Sequence, residues 1–161
     1  PFAVAFLGPD ALVMGGRVPA GLTGRLHFWA VAPPRVADPV VTGEVYTLVA
    51  TADGARVAAW AAREAVGGGG VKNNAYEVYD AKGNLVSSTA DKGRNVLSAA
   101  FTPDLAWAVA GDESGVVRVF DLEKKERIGG DWPLFQNSFA DLGVTADKKL
   151  LVAADNKGAV K

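Results

Sequence analysis

One short pattern recurs four times along the chain and constrains its fold more than any other feature. An apolar run closes on a turn that contains aspartate: Phe2–Asp10, Tyr46–Asp53, Leu97–Asp104 and Leu142–Asp147. The turn aspartates stand 43, 51 and 43 residues apart. A repeat of about 40–50 residues is long enough for one four-stranded sheet per unit. A chain built this way repeats a structural module rather than assembling around a single catalytic loop.

Each unit reads as four strands, a to d. Strand a is the alternating run before the turn, as in Ala99 and Phe101 against Ser98 and Ala100. Pro presets φ in the turn, and Asp accepts backbone N–H bonds through its own carboxylate. Strand b follows at Leu12–Gly16, Arg56–Ala59, Trp107–Ala110 and Leu150–Ala154. Six residues past each turn Asp stands a small residue, Gly16, Ala59, Ala110 or Ala153, as a crowded interior requires. Strand c (Arg25–Trp29, Tyr76–Tyr79, Val117–Phe120) alternates polar with aromatic or β-branched residues and twice ends in aromatic-Asp, at Asp80 and Asp121. Strand d is the least marked, around Pro39–Val41, Asn84–Ser88 and Glu126–Ile128.

Val57–Val66 is rich in good helix formers and on propensity alone competes as a short helix. Its register match with the other three units favours a strand. The extra length of the second unit lies between strands b and c, at Gly67–Asn74. The spacing therefore predicts an all-β chain: a β-propeller of four-stranded antiparallel blades, about three and a half present, in one partial domain with approximate repeats 1–42, 43–94, 95–137 and 138–161.

The residues resemble WD40-type propeller repeats. Val96–Asp121 is the best unit, similar to that family's strand, Ser-Pro-Asp-Gly turn, strand, Ser-Gly-Asp turn, strand and Trp-Asp succession. Asp155–Val160 is similar to the matching b–c turn one unit later. The likeness is degenerate. The Gly-His dipeptide before strand a is missing, and Trp29 is followed by Ala30, so the family's His–Ser–Asp–Trp hydrogen-bond network cannot form. Quinoprotein-like and lactonase-like propellers are neighbouring families.

Composition excludes several chemistries. The net charge is −1 and the basic residues are scattered, which leaves no electrostatic stripe for nucleic acid. There is no cysteine, so disulfides and thiolate metal sites are excluded; that absence fits either side of a membrane and assigns no compartment. No run reaches the roughly 18 apolar residues of a membrane span. The single His27 precludes any site needing two imidazoles, has no triad signature around it, and falls on a blade surface by alternation. Gly67–Gly70 fails as a phosphate loop because Lys72 follows Val71 and precedes Asn73. No calcium-loop pattern accompanies the loop acids, and the turn aspartates recur once per unit, the mark of a structural role. No cofactor is expected.

Candidate residues come instead from geometry. In a propeller the b–c and d–a loops share one face. That gathers Lys72, Asn73, Asn74, Asp112, Glu113, Asp155 and Asn156 on one rim, and the d–a segment Asp131–Gln136 adds Trp132 and Phe135. Aromatics among polar neighbours suit a protein contact; the competing role of Trp132 and Phe135 is to cover strand edges. Trp29, Trp60 and Trp107 fall on strands and read as inter-blade packing.

The function implied by the resemblance is a non-enzymatic scaffold that presents its loop rim to a protein or peptide partner. A second class is a propeller enzyme or sensor domain whose catalytic or cofactor residues lie outside this stretch. Strand a here supplies almost none of the groups a central-channel site needs. A third is one domain of a larger, bacterial-looking signalling or electron-transfer protein. Pro1 opens inside a strand pattern and Gly158–Lys161 begins another, so the chain reads as a fragment of a longer protein. Further blades or a second copy are then needed to close the ring, and the isolated chain is expected to dimerise or aggregate.

Overall fold

The computed structural model describes residues 3–17, 24–30, 35–36, 40–64, 72–92 and 95–161. They form strands β1 (Ala3–Phe6), β2 (Ala11–Arg17), β3 (Gly24–Ala30), β4 (Arg35–Val36), β5 (Val40–Thr42), β6 (Glu44–Ala50), β7 (Arg56–Glu64), β8 (Lys72–Asp80), β9 (Leu85–Asp91), β10 (Val96–Phe101), β11 (Trp107–Asp112), β12 (Val116–Asp121), β13 (Glu126–Pro133), β14 (Phe139–Val144) and β15 (Leu151–Asp155). The described residues contain no helix. Four antiparallel sheets follow one another along the chain. The first is β1-β2-β3 with β4 and β5 both on β3; then come β6 to β9, β10 to β13, and the pair β14-β15.

Both faces of the middle sheets are covered, which explains why segment 56–64 is extended despite its helix formers. Val57, Ala59 and Ala61 pack toward the first sheet, and Ala58 and Trp60 pack toward the third. A period of two buries every one of these side chains, whereas a helix would bury one stripe. Local propensity, worth a few tenths of a kcal/mol per residue, is overridden by that burial.

Three cores separate the four sheets. The first holds Val13, Leu26, Phe28, Val45 and Tyr79; the second Trp60, Tyr76, Val78, Phe101 and Phe120; the third Val109, Val117, Phe139 and Leu142. Tyr76 is fully buried and lies 4.9 Å from the Phe120 ring and 6.3 Å from Phe101, centroid to centroid. Truncating a core aromatic of this kind costs about 3–5 kcal/mol. Trp60 belongs to this inter-sheet core and Trp107 flanks the third, while Trp29 is 40% exposed.

The a–b turns share one construction. Thr51, Thr102 and Thr145 each donate their backbone N–H to the residue five positions on, and residues Gly54, Leu105 and Lys148 take the left-handed conformation. Burial disfavours the Asp104 anion, but the Lys148 ammonium 2.8 Å away, the Thr102 hydroxyl and the Ala106 N–H outweigh it and hold the carboxyl at about 2. The first turn departs from the set. Leu7 bonds Ala11 only four residues on, and Asp10 stands one residue before that acceptor where the other turn aspartates stand three before theirs, so counting from it overshoots the interior register by two. Ala59, Ala110 and Ala153 are buried as expected, but their register equivalent in the first sheet is Met14, not Gly16.

The hairpin between the second and third strands of the second sheet also differs from expectation. Lys72, Asn73 and Asn74 belong to β8, paired with Glu64, Arg63 and Ala62 of β7, and not to a loop. The remaining loop residues, 65–71, lie outside the described residues, as does Pro39 of the expected first strand d. Strand d of the third sheet runs five residues further than its sequence pattern, to Pro133.

Candidate functional site

The rim where b–c turns meet the connections between sheets is built from backbone. At the β11–β12 turn, Asp112 Oδ1 accepts the Ser114 and Val116 N–H groups at 2.9 and 3.2 Å. Asp155 repeats this with Lys157 and Ala159 at 2.9 and 2.8 Å. Asp155 then uses Oδ2 to accept the Asn137 amide at 3.0 Å. Burial opposes the Asp155 charge, but the Ala159 N–H and Asn137 amide outweigh it and lower its pKa.

Gly115 must be glycine: φ is +76°, and a Cβ there would strike the Phe135 carbonyl. That close approach lets Leu134 and Phe135 donate to Gly115 O at 3.0 and 3.1 Å. Ser138 Oγ donates to Glu113 O at 3.0 Å, and Asn156 N donates to Ser138 O at 3.0 Å. On the other flank Glu113 N reaches Asn95 O at 3.1 Å, and Asn95 Nδ2 reaches Glu113 Oε2 at 2.9 Å. The β11–β12 turn, the turn after β15 and the connections flanking the third sheet therefore share one bonded rim among the described residues.

Of the nine rim candidates, three are consumed inside the fold. Asn74 is buried, accepts the Trp60 indole N–H at 3.1 Å and donates to Asp91 O at 3.4 Å. Asp112 and Asp155 are buried caps. Phe135 is half-buried, edge-on to Phe139 at 5.2 Å, with Lys161 Nζ 5.3 Å from its ring; it covers the third core. Asn73 is half-buried, Glu113 and Asn156 are exposed, and Trp132 is 44% exposed. The Lys72 side chain lies outside the described residues.

Behind the rim lies a polar network that sequence reasoning missed. Arg118, 2% exposed, bridges Asp112 of its own sheet (Nη1–Oδ2, 2.7 Å) and Asp91 of the preceding one (Nη2–Oδ2, 3.0 Å; Nε–Oδ2, 3.1 Å). Burial lowers the guanidinium pKa, but the two carboxylates more than offset this and raise it. The Tyr76 hydroxyl reaches Asp91 Oδ2 at 3.4 Å; burial, then the Asp91 charge, push its pKa well above the usual phenol range. An Asp–Arg–Asp bridge thus ties the second sheet to the third. The available signal was one polar residue per unit at a single strand c register, His27, Glu77 and Arg118. Alternation places His27 on a blade surface; at the same register Glu77 and Arg118 face a neighbouring sheet and are buried.

The arrangement offers rigid backbone, one large exposed aromatic and flanking polar groups. Among the described residues no three of His, Asp and Glu converge as metal ligands, and no helix is long and apolar enough to cross a membrane.

No known family profile matches the chain. It is 34% identical over 93 residues to the mouse p21-activated protein kinase-interacting protein 1, a match that takes in 56% of this chain and 24% of that protein. Its fold is similar to that of the computationally designed Ika4 protein, with a TM-score of 0.61 and 17% identity over 99% of this chain and 88% of the other.

Proposed function

We propose that the four sheets are consecutive blades of a WD40-like β-propeller acting as a non-enzymatic scaffold, and that a protein or peptide docks on the rim around Trp132. The observation that carries the reading is the contrast on that rim. Its turns are fixed by backbone bonds, yet Trp132 stands 44% exposed. Exposed Trp on a rigid frame is the residue type that dominates binding energy at protein contacts. The mouse relative is by its name a protein that interacts with a kinase, which supports the same class of role.

The outer faces support further blades. Val4, Met14 and Trp29 occupy the registers that Leu48, Ala59 and Tyr79 fill in the second sheet, where they are buried against a neighbour. At the other end Val152 stands where Ala58 and Val109 are buried. Each end face thus repeats, uncovered, a surface that the interior covers.

The test is quantitative affinity purification from cells with the wild-type chain, Trp132→Ala and, on the opposite rim, Lys149→Ala. The rim reading expects at least one partner to fall about thirtyfold with Trp132→Ala, the loss of a ~2 kcal/mol anchor, and to persist with Lys149→Ala. A partner set unmoved by Trp132→Ala overturns it.

A further inference from the structure

We propose that this chain pairs with a second copy of itself in a closed two-fold ring, β1 of each copy docking on the β14-β15 face of the other. The inference rests on the blade reading above and assigns one occupant to both end faces.

The interior junctions supply the rule. β6 packs on β1 and β2, and β14 packs on β10 and β11, so the leading strand of one sheet docks on the first two strands of the sheet before it. Phe6, Ala50, Phe101 and Val144 are equivalent, each standing one residue before the turn donor Leu7, Thr51, Thr102 or Thr145. Their partners across the hairpin immediately precede a second equivalent set, Val13, Ala58, Val109 and Val152. Every interior junction brings one member of each set into one core: Ala50 with Val13, Phe101 with Ala58, and Val144 with Val109. Two members are left over, Phe6 at 69% exposed and Val152 at 51%. They form the next pair of the series, and they sit at opposite ends of the stack.

Their surroundings fit as well. Val4 is exposed, although Leu48, Ala99 and Leu142 at the same register are buried. Across the hairpin from Val152 stands Gly143, where the other sheets carry Ala5, Val49 and Ala100. A Cβ at Gly143 would meet nothing within 4 Å, which leaves room on the receiving face for a ring as large as that of Phe6. Neither docking position carries a charge, so two copies meet there without repulsion.

A different partner would need a leading strand for one end and a receiving face for the other. A second copy supplies both. Covering both ends of both copies gives two identical junctions and leaves no face open, which closes the assembly instead of extending it. Four sheets from each copy make eight, within the about four to eight blades at which propellers close.

The test is sedimentation velocity of the full chain over about a thousandfold range of concentration, with a single species of twice the chain mass expected. Phe6→Lys and Val152→Glu should each weaken the dimer about a thousandfold, roughly thirtyfold at each of two junctions. Combined in one chain they bring opposite charges together at both junctions and should recover at least about tenfold, which a loss of folding would not allow. Trp132→Ala should leave the dimer unchanged. Partner capture by the Trp132 rim is read on the monomeric variants, so the ring and the rim fail separately. A monomer at every concentration, a mass that grows beyond two copies, or no recovery in the double variant overturns the proposal. So does a dimer broken by Phe6→Lys and untouched by Val152→Glu, the mark of two first sheets packed face to face.

Discussion

Removing Arg118 tests the claim that the second and third sheets are locked by charge. In Arg118→Met the side chain volume is kept, but two buried carboxylates lose their shared cation. Asp91 loses two bonds at 3.0 and 3.1 Å, and Asp112 loses one at 2.7 Å while keeping its two turn N–H groups. Breaking a buried pair by deleting one partner costs about 3–5 kcal/mol, against about 5–15 kcal/mol for a whole domain. With a urea m-value of about 2 kcal/mol/M, the unfolding midpoint should fall by about 2 M. The triple variant Asp91→Asn/Asp112→Asn/Arg118→Met removes the charges together and should recover most of the loss, because neutral replacement of a buried network is often close to neutral. A midpoint shift below about 0.5 M for Arg118→Met, the size of a surface pair, would refute the reasoning.

Gly115→Ala combines a left-handed φ with a collision against the Phe135 carbonyl, and should cost about 2–3 kcal/mol in a thermal or urea melt. Tyr76→Phe deletes only the hydroxyl at Asp91 and should cost about 1 kcal/mol, far less than Tyr76→Ala at about 3–5. Asp104 ionises at about 2 in the fold against an ordinary 3.8. Its contribution is complete above pH 3.8 and disappears as pH falls through about 2, so Asp104→Asn should flatten stability across that window in an acid titration. Trp132→Ala should change stability by less than about 0.5 kcal/mol while it removes partner binding.

The strand order was legible because it rests on period. Two-residue alternation, a turn Asp per unit and aromatic-Asp at strand c sufficed to separate β10, β11 and β12 correctly. Position along the rim was less legible, because a turn aspartate is the same letter whether it caps its own hairpin or faces solvent. Asp112 and Asp155 cap; only the Ser-Gly and Lys-Gly that follow them hint at it. Lys72 to Asn74 read as loop because four glycines precede them, although β7 extends far enough to pair with all three. The one-residue shortening of the first turn is set by a backbone bond, Leu7 to Ala11, that no composition rule reports.

The buried charges give the stack of sheets an order. Hydrophobic faces of similar shape pack against one another with little discrimination, since apolar contact is non-directional. Arg118 requires a carboxylate at the end of the preceding sheet's fourth strand, and β9 supplies Asp91 there. The corresponding strand of the third sheet, β13, carries Asp131, which is exposed and bonded to Arg127 four residues away. A third sheet docked on another third sheet would therefore bury Arg118 with Asp112 as its one carboxylate and its Nε and Nη2 donors unpaired, at a cost of about 1–3 kcal/mol. The second sheet docked on the third leaves no such group unpaired. Apolar burial drives the sheets together, and at the junction of the second and third the position of one arginine favours that pairing.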